Sequence, residues 1–232
     1  MSPTTVNHAS EEGNNSRSGR GGYNNESMRP AIFFDRDGTL NEEVGYAGRP
    51  EEFHIFPWAA AAVRRVNQAG WAAVLITNQA GVAKGLYPEA NVDLLHRLLA
   101  EHLAHAGARL DGVYYCPHHP LGTVAGYGGP CDCRKPAPGM LRQAAAELHL
   151  DLPASWVIGD RVHDIGAAHA VGGRGVLVRT GYGERTLAAA DAAAPDHVAD
   201  NADRAVAWIL AHAARSTGII PEIGGAPAPE AP

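Results

Sequence analysis

The feature that most constrains this chain is an apolar run that ends in two acids. Ala31-Ile32-Phe33-Phe34 is followed at once by Asp35-Arg36-Asp37-Gly38-Thr39. Four consecutive apolar residues without alternation read as a short buried strand. In open α/β sheets, ligands gather just beyond the carboxyl ends of the strands. Asp35 is therefore expected to end the strand at that crevice. The turn that Gly38 permits would bring Asp37 to the same space. Two close carboxylates repel, so something must compensate. A Mg²⁺ ion held by hard oxygen ligands would do so, and so would a hydrogen bond to a protonated Asp37. Taken alone, the pattern also fits a solvated turn or a calcium-loop lookalike. The residues downstream decide between these.

Strand and helix signals alternate through the rest of the chain. An irregular loop over 41–57 precedes a helix over 59–69, which Gly70 ends. A strand is expected over 72–76. Pro88 opens a long helix with Val92, Leu95, Leu99 and Leu103 on one face, closed by Gly107. A third strand follows over 112–115. The next helix, 138–148, should turn Leu141, Ala145 and Leu148 inward. A fourth strand over 156–158 ends at Gly159-Asp160. A helix over 164–171, strands over 175–178 and 197–199 and a helix over 202–213 complete the series. This alternation predicts an α/β fold: a Rossmann-like parallel sheet with helices on both faces and right-handed crossovers.

The ends of the chain differ. Residues 1–29 are rich in Ser, Asn and Gly, and 215–232 end in a Gly/Pro/Ala run. Both are expected to be disordered tails around one domain over 30–214. The formal net charge is −6 and no basic block occurs, which argues against a nucleic-acid partner. No apolar run approaches a membrane span, and the N-terminus lacks a signal-peptide core. The three cysteines crowd into one stretch. That suits a metal site in a reducing cytosol better than a disulfide framework.

Three polar groups follow predicted strands: Asp35-x-Asp37, Thr77-Asn78-Gln79, and Gly159-Asp160-Arg161-x-x-Asp164. A fourth, Arg134-Lys135-Pro136, precedes a helix. Strand ends share one rim in a parallel sheet, so these groups can share one pocket. A second constellation is Cys116-x-His118 and Cys131-x-Cys133, with twelve residues between His118 and Cys131. Three thiolates and an imidazole make a closed tetrahedral site, as expected for structural Zn²⁺. His119 competes with His118, which is preferred because its one-residue gap mirrors Cys131-x-Cys133. The alternative is three reduced buried cysteines. However, the intervening loop, with Gly122, Gly126, Gly128 and Gly129, has little core to hold it. His96, His102, His163 and His169 lack ligand spacing and are expected at the surface or in packing.

The order of these groups resembles the haloacid dehalogenase-type phosphatases, over about residues 31–180. In that family a carboxylate attacks phosphorus to form an aspartyl-phosphate, which water then hydrolyses. The resemblance implies Asp35 as nucleophile and Asp37 as general acid and then base. It implies Thr77 and Lys135 as holders of phosphoryl oxygens. Mg²⁺ would sit on Asp35, the Asp37 carbonyl and Asp160. Asp164 is expected to orient Lys135 or a metal-bound water rather than bind metal; as a plain helix N-terminal acid it would do neither.

Cys116-Pro117-His118-His119-Pro120, Cys131-Asp132-Cys133-Arg134-Lys135-Pro136 and Thr77-Asn78-Gln79-Ala80-Gly81 look like the zinc-containing branch of the family. That branch holds heptose 1,7-bisphosphate 7-phosphatases and histidinol-phosphate phosphatases. Glu43, Val44, Gly45 and Tyr46 match its substrate loop. With Asn78, Gln79, Arg134 and Arg161 they are the expected substrate contacts. The match departs at Gln79-Ala80, where a Ser often follows Gln. Only 37 residues separate Thr39 from Thr77, which leaves no room for a large cap domain. The 57 residues between Thr77 and Lys135 hold the small zinc loop, with Arg134 at its edge. A steadying role for Arg134 in that loop is the alternative to ligand contact. The implied partner is a small-molecule sugar phosphate, with neither nucleic acid nor membrane, and the expected state is a monomer in the cytoplasm. A non-catalytic phospho-ligand binder of the same fold would not need an acid beside the nucleophile.

Overall fold

A computed structural model of the chain describes residues 28–189 and 193–216. Among them, six parallel strands form one sheet in the order β3-β2-β1-β4-β5-β6. The strands are β1 (Ala31–Phe34), β2 (Ala72–Asn78), β3 (Gly112–Cys116), β4 (Trp156–Gly159), β5 (Arg174–Val178) and β6 (His197–Ala199). The helices are α1 (Ala59–Gln68), α2 (Ala80–Ala83), α3 (Glu89–His105), α4 (Gly139–Leu148), α5 (Val162–His169), α6 (Gly183–Ala188) and α7 (Ala202–Ser216). The α/β architecture with a parallel sheet is as the sequence predicts. No helix of the described residues is long and apolar enough to cross a membrane.

Every side chain of β1 is buried, because it is the strand at which the chain switches from building one half of the sheet to the other. Successive side chains of a strand face opposite ways, and both sides of this one are covered. Ile32 and Phe34 join a core with residues of α1, α3 and α7. Ala31 and Phe33 join another with residues of α4 and α5. The strand ends align: Phe34 lies level with Leu75 of β2 and Ile158 of β4. The residues that follow these strands therefore meet at the β1–β4 switch point, where an α/β sheet opens a crevice.

Several boundaries differ from the sequence-based expectation. β2 runs on through Thr77 and Asn78, because they pair with Tyr115 and Cys116 of β3. In α4 the buried residues are Met140, Leu141 and Ala144, while Ala145 and Leu148 are only partly buried against the core. α5 starts two residues earlier than expected, at Val162, with the Asp164 carboxylate accepting from the Arg161 amide at 3.0 Å. α2 and α6 were not expected at all. Arg29, assigned above to the N-terminal tail, belongs to the domain: its backbone bonds to His149 and Asp151 and its guanidinium pairs with Asp111 at 3.1 Å. α7 likewise continues past residue 214, since no glycine interrupts the sequence before Gly218. The remainder of the expected tails, 1–27 and 217–232, lies outside the described residues.

Candidate active site

The switch point holds a cavity of about 290 Å³ lined by Asp35, Asp37, Thr77, Asn78, Gln79 and Lys135, with Glu43, Gly45, Tyr46, Arg134 and Arg161 toward its rim. Eleven of the predicted site residues thus share one space, although they come from distant parts of the chain. Asp160 lies beneath it, fully buried. Val44 does not line it: its side chain is 49% exposed, because adjacent residues of an extended loop face opposite ways and Glu43 takes the inward side.

Lys135 organises the floor. Its Nζ donates to Asp35 Oδ1 at 2.8 Å and to the Ile76 carbonyl at 2.8 Å, and it pairs with Asp164 Oδ1 at 2.6 Å. Asn78 holds the Lys135 backbone from both sides, donating to its carbonyl (3.1 Å) and accepting from its amide (3.0 Å). Asn78 therefore acts on the Lys135 loop while it lines the cavity. Burial works against the Lys135 charge, but the carboxylates of Asp164 and Asp35 outweigh it and hold the ammonium above its ordinary range. Burial pushes Asp35 up to about 7, against the pull of Lys135. Asp160 is pushed up to about 8 by burial, with Asp35 and Asp164 adding to the effect.

Asp37 behaves differently. Burial alone would raise it, yet the Arg36 guanidinium and hydrogen bonds from Asn41 and Gln79 hold it below the usual carboxylate range. Four N–H donors thus favour the anion of Asp37 over the protonated form considered from sequence.

The residues fit a divalent cation. Oxygens of Asp35, Asp160 and Asp164 lie within 4.8 Å of one another. Asp160 Oδ2 accepts from the Tyr182 amide at 2.7 Å, while its buried Oδ1 has no hydrogen-bond partner. Such an atom is costly unless something binds it. Glycines make room around Asp160. A Cβ on Gly38 (φ +80°) or on Gly181 (φ +58°) would lie 2.2 Å from Asp160 Oδ2. Asp164 is already engaged by Lys135 and by the Arg161 amide.

At the rim, Arg161 pairs with Glu43 (3.3 Å) and stacks 3.8 Å over the Tyr182 ring. Arg134 donates to the His118 carbonyl at 3.2 Å, which ties it to the cysteine loop while it lines the cavity. Gln79 is only 2% exposed. Its Oε1 accepts from Arg36 and Tyr87, and its Nε2 donates to Asp37 and Thr77. Its polar atoms are thus engaged inside the protein. His119 and His163 also line the cavity. His163 is an exposed histidine, as expected, that also borders the cavity mouth. His96, by contrast, is buried in packing, edge-on to Tyr115.

The second cluster lies beside this rim. The sulfurs of Cys116, Cys131 and Cys133 are 3.1–3.6 Å apart, and His118 Nδ1 lies 3.3 Å from Cys133 and 3.8 Å from Cys116. Bonds of about 2.3 Å to a tetrahedral Zn²⁺ would set sulfurs at similar separations. Hydrogen bonding from Cys116 is the main influence drawing the Cys133 thiol down to about 5, so the cluster favours a thiolate. His118, not His119, completes it.

Sequence reasoning missed Arg36, Asn41, Tyr87, Tyr182, His119 and His163 as residues at the site. Arg36 alone carried a signal, being flanked by two acids.

An open crevice at the switch point, with Asp35 paired to Lys135 on its floor, is the arrangement expected of the family the motifs resemble. A family profile described as HAD-hydrolase-like matches residues 132–205. The chain belongs to the haloacid dehalogenase-like phosphatases. It is 46% identical over 192 residues to a D-glycero-D-manno-heptose-1,7-bisphosphate 7-phosphatase of Thermosynechococcus vestitus, covering 80% of this chain and 98% of that protein. The D-glycero-beta-D-manno-heptose-1,7-bisphosphate 7-phosphatase of Escherichia coli K12 is 46% identical over 153 residues, 66% of this chain and 80% of that protein. The crystal structure of D,D-heptose 1,7-bisphosphate phosphatase from B. bronchiseptica, complexed with magnesium and phosphate, matches with a TM-score of 0.71 at 34% identity, covering 79% of this chain and 99% of that one.

Proposed function

We propose that this phosphatase removes the 7-phosphate of D-glycero-D-manno-heptose 1,7-bisphosphate. The observation that carries the reading is Asp35 at the β1 terminus, 2.8 Å from the Lys135 ammonium, with Asp37 two residues on and an open cavity above both. The relatives' substrate supplies the sugar.

In this reading Asp37 takes up a proton from solvent as the substrate binds; an Asp35 oxygen then attacks phosphorus, the P–O bond to the sugar breaks, and Asp37 delivers that proton to the departing alkoxide. Water then attacks the aspartyl-phosphate, losing its proton to Asp37 and freeing the Asp35 carboxylate. Lys135 and Thr77 hold phosphoryl oxygens throughout. Asp35, Asp160 and the Asp37 carbonyl would hold Mg²⁺, which when bound neutralises phosphoryl charge. Asp164 orients Lys135. Glu43, Gly45, Tyr46, Asn78, Arg134 and Arg161 surround the sugar, with Arg134 facing the second phosphate. Cys116, His118, Cys131 and Cys133 would hold a structural Zn²⁺, and their thiols suit the reducing cytoplasm. The domain spans Arg29 to about residue 216 and acts as a monomer on a small-molecule substrate.

The test is phosphate release with Mg²⁺ from heptose bisphosphate and from histidinol phosphate. The bisphosphate should be the faster substrate, because the cationic amine of histidinol phosphate meets Arg134 unfavourably. Faster turnover of histidinol phosphate overturns the choice of substrate.

A further inference from the structure

Arg36 is the largest fully buried side chain among the described residues. A buried cation is costly unless it is fully engaged. Here its Nε donates to Asp37 Oδ1 at 3.2 Å and its Nη2 to Asp37 Oδ2 at 3.0 Å. Nη2 also reaches Gln79 Oε1 at 3.0 Å, and Nη1 lies 3.5 Å from His96 Nε2. The guanidinium carbon sits 5.4 Å from the centre of the Phe53 ring. None of these partners is a ligand, and Arg36 does not line the cavity. It faces away from the space that Asp35 and Asp37 share.

Its geometry constrains one thing. The carboxylate of Asp37 is gripped on both oxygens by a planar fork. Asn41 Nδ2 adds a second donor to Oδ1 at 2.9 Å, and Gln79 Nε2 a second to Oδ2 at 2.9 Å. Four donors from three directions fix the plane of the group. The same residue also anchors the turn that carries Asp37, since its carbonyl accepts from the amides of Thr39, Leu40 and Asn41. We propose that Arg36 is a positioning residue: its fork fixes the direction in which Asp37 meets the reacting ester. The assignment rests on the phosphatase reading above. A lysine could supply the charge but would bond as a point, leaving only the single bonds from Asn41 and Gln79 to set the carboxylate plane.

The test compares two leaving groups. The sugar alkoxide needs a proton as the P–O bond breaks, whereas p-nitrophenolate leaves without one. First-turnover rates with saturating Mg²⁺ are measured for wild type and Arg36→Lys on heptose bisphosphate and on p-nitrophenyl phosphate. A well-placed general acid is worth about a hundredfold or more. Arg36→Lys should therefore slow the first turnover of the sugar ester by roughly ten- to a hundredfold, with KM little changed. The first release of p-nitrophenolate should stay within about threefold of wild type, since no acid is involved. Asp37→Asn should show the same split, larger. Equal losses on both esters would mean that Arg36 only supports the fold, and would overturn the proposal. So would a variant as fast as wild type on both. If Arg36→Lys fails to fold, Gln79→Met takes its place. That change removes the Gln79 bonds to the Asp37 carboxylate and the Arg36 guanidinium along with those to Thr77 and Tyr87; loosening Thr77 would slow both esters alike, so an extra loss on the sugar ester, or its absence, decides the matter. A wild-type enzyme inactive on both esters overturns the phosphatase reading itself, and this one with it.

Discussion

At the scale of single residues, the site is a problem in holding like charges together. Asp35, Asp160 and Asp164 have oxygens within 4.8 Å of one another, and the only cation on the floor among the described residues is Lys135. One ammonium cannot neutralise three carboxylates. That imbalance is why burial moves Asp35 and Asp160 upward and why the arrangement suits a divalent ion. Asp35→Asn keeps the shape but removes both the nucleophile and a metal ligand. Its kcat should fall by about a thousandfold or more, as for other central catalytic groups. Activity within tenfold of wild type, in enzyme free of other phosphatases, would sink the nucleophile assignment. Arg134 is bound on one side to the His118 carbonyl and faces the cavity on the other. If it holds the second phosphate, Arg134→Ala should lose about 1.5–3 kcal/mol with the bisphosphate, roughly ten- to a hundredfold in kcat/KM. A simple monophosphate should be nearly unaffected. Equal losses on the two substrates would assign Arg134 to the zinc loop alone.

At the scale of elements, the loop between β3 and α4 is the least self-sufficient part of the domain. Its glycines bury little; it is held by the thiol cluster, by Tyr127, whose hydroxyl donates to Glu89 of α3 at 2.6 Å, by the Thr123 and Val124 amides on the Ala83 carbonyl, and by Asn78 on the Lys135 backbone. Removing a zinc ligand should therefore loosen the loop and Arg134, which is bonded to the His118 carbonyl, while Lys135 keeps its own partners. Cys131→Ser or Cys133→Ser is expected to lose the zinc and about 3 kcal/mol or more of stability, roughly 6–12 °C in Tm for a domain of this size. Elemental analysis and thermal denaturation of the same samples check this. A zinc-free wild type of unchanged Tm would rule out the structural metal. The cysteine spacing announced this loop, because ligand geometry is local. The central strands were legible for a similar reason: a strand buried on both faces is a continuous apolar run. Other features depend on partners that are distant in sequence. β2 gains Thr77 and Asn78 only because β3 lies beside it. α4 turns Met140 and Ala144 inward because of where the sheet lies. α2 and α6 have four and six residues, too few to display a helical period. Arg36 shows its two flanking acids in the sequence, but only the fold reveals that it is buried and that Gln79 and His96 meet it inside.

At the scale of the whole molecule, the polar network behind the site is built into the core, so it couples pH to the stability of the fold. His96 lies on α3 between the Arg36 guanidinium and the Tyr115 ring. Burial, reinforced by the Arg36 charge, draws it down to about 3 from its ordinary 6.5. The folded protein therefore keeps His96 neutral at a pH where the unfolded chain has already bound a proton. Between about pH 3 and 6.5 the unfolded state holds the extra proton, so stability rises with pH across that window and is insensitive to this group above it. The slope approaches about 1.4 kcal/mol per pH unit for one proton. Other groups titrate in the same range, so the useful quantity is the difference between wild type and His96→Gln, in which the amide can still accept from Arg36 but does not titrate. With saturating Mg²⁺ in both samples, denaturant unfolding at pH 4.5 and 6.5 should show wild type losing about 2 kcal/mol more than the variant on acidification. Two parallel stability curves would mean that His96 titrates alike in the folded and unfolded chains, and the core would then not be the source of acid sensitivity assigned to it here.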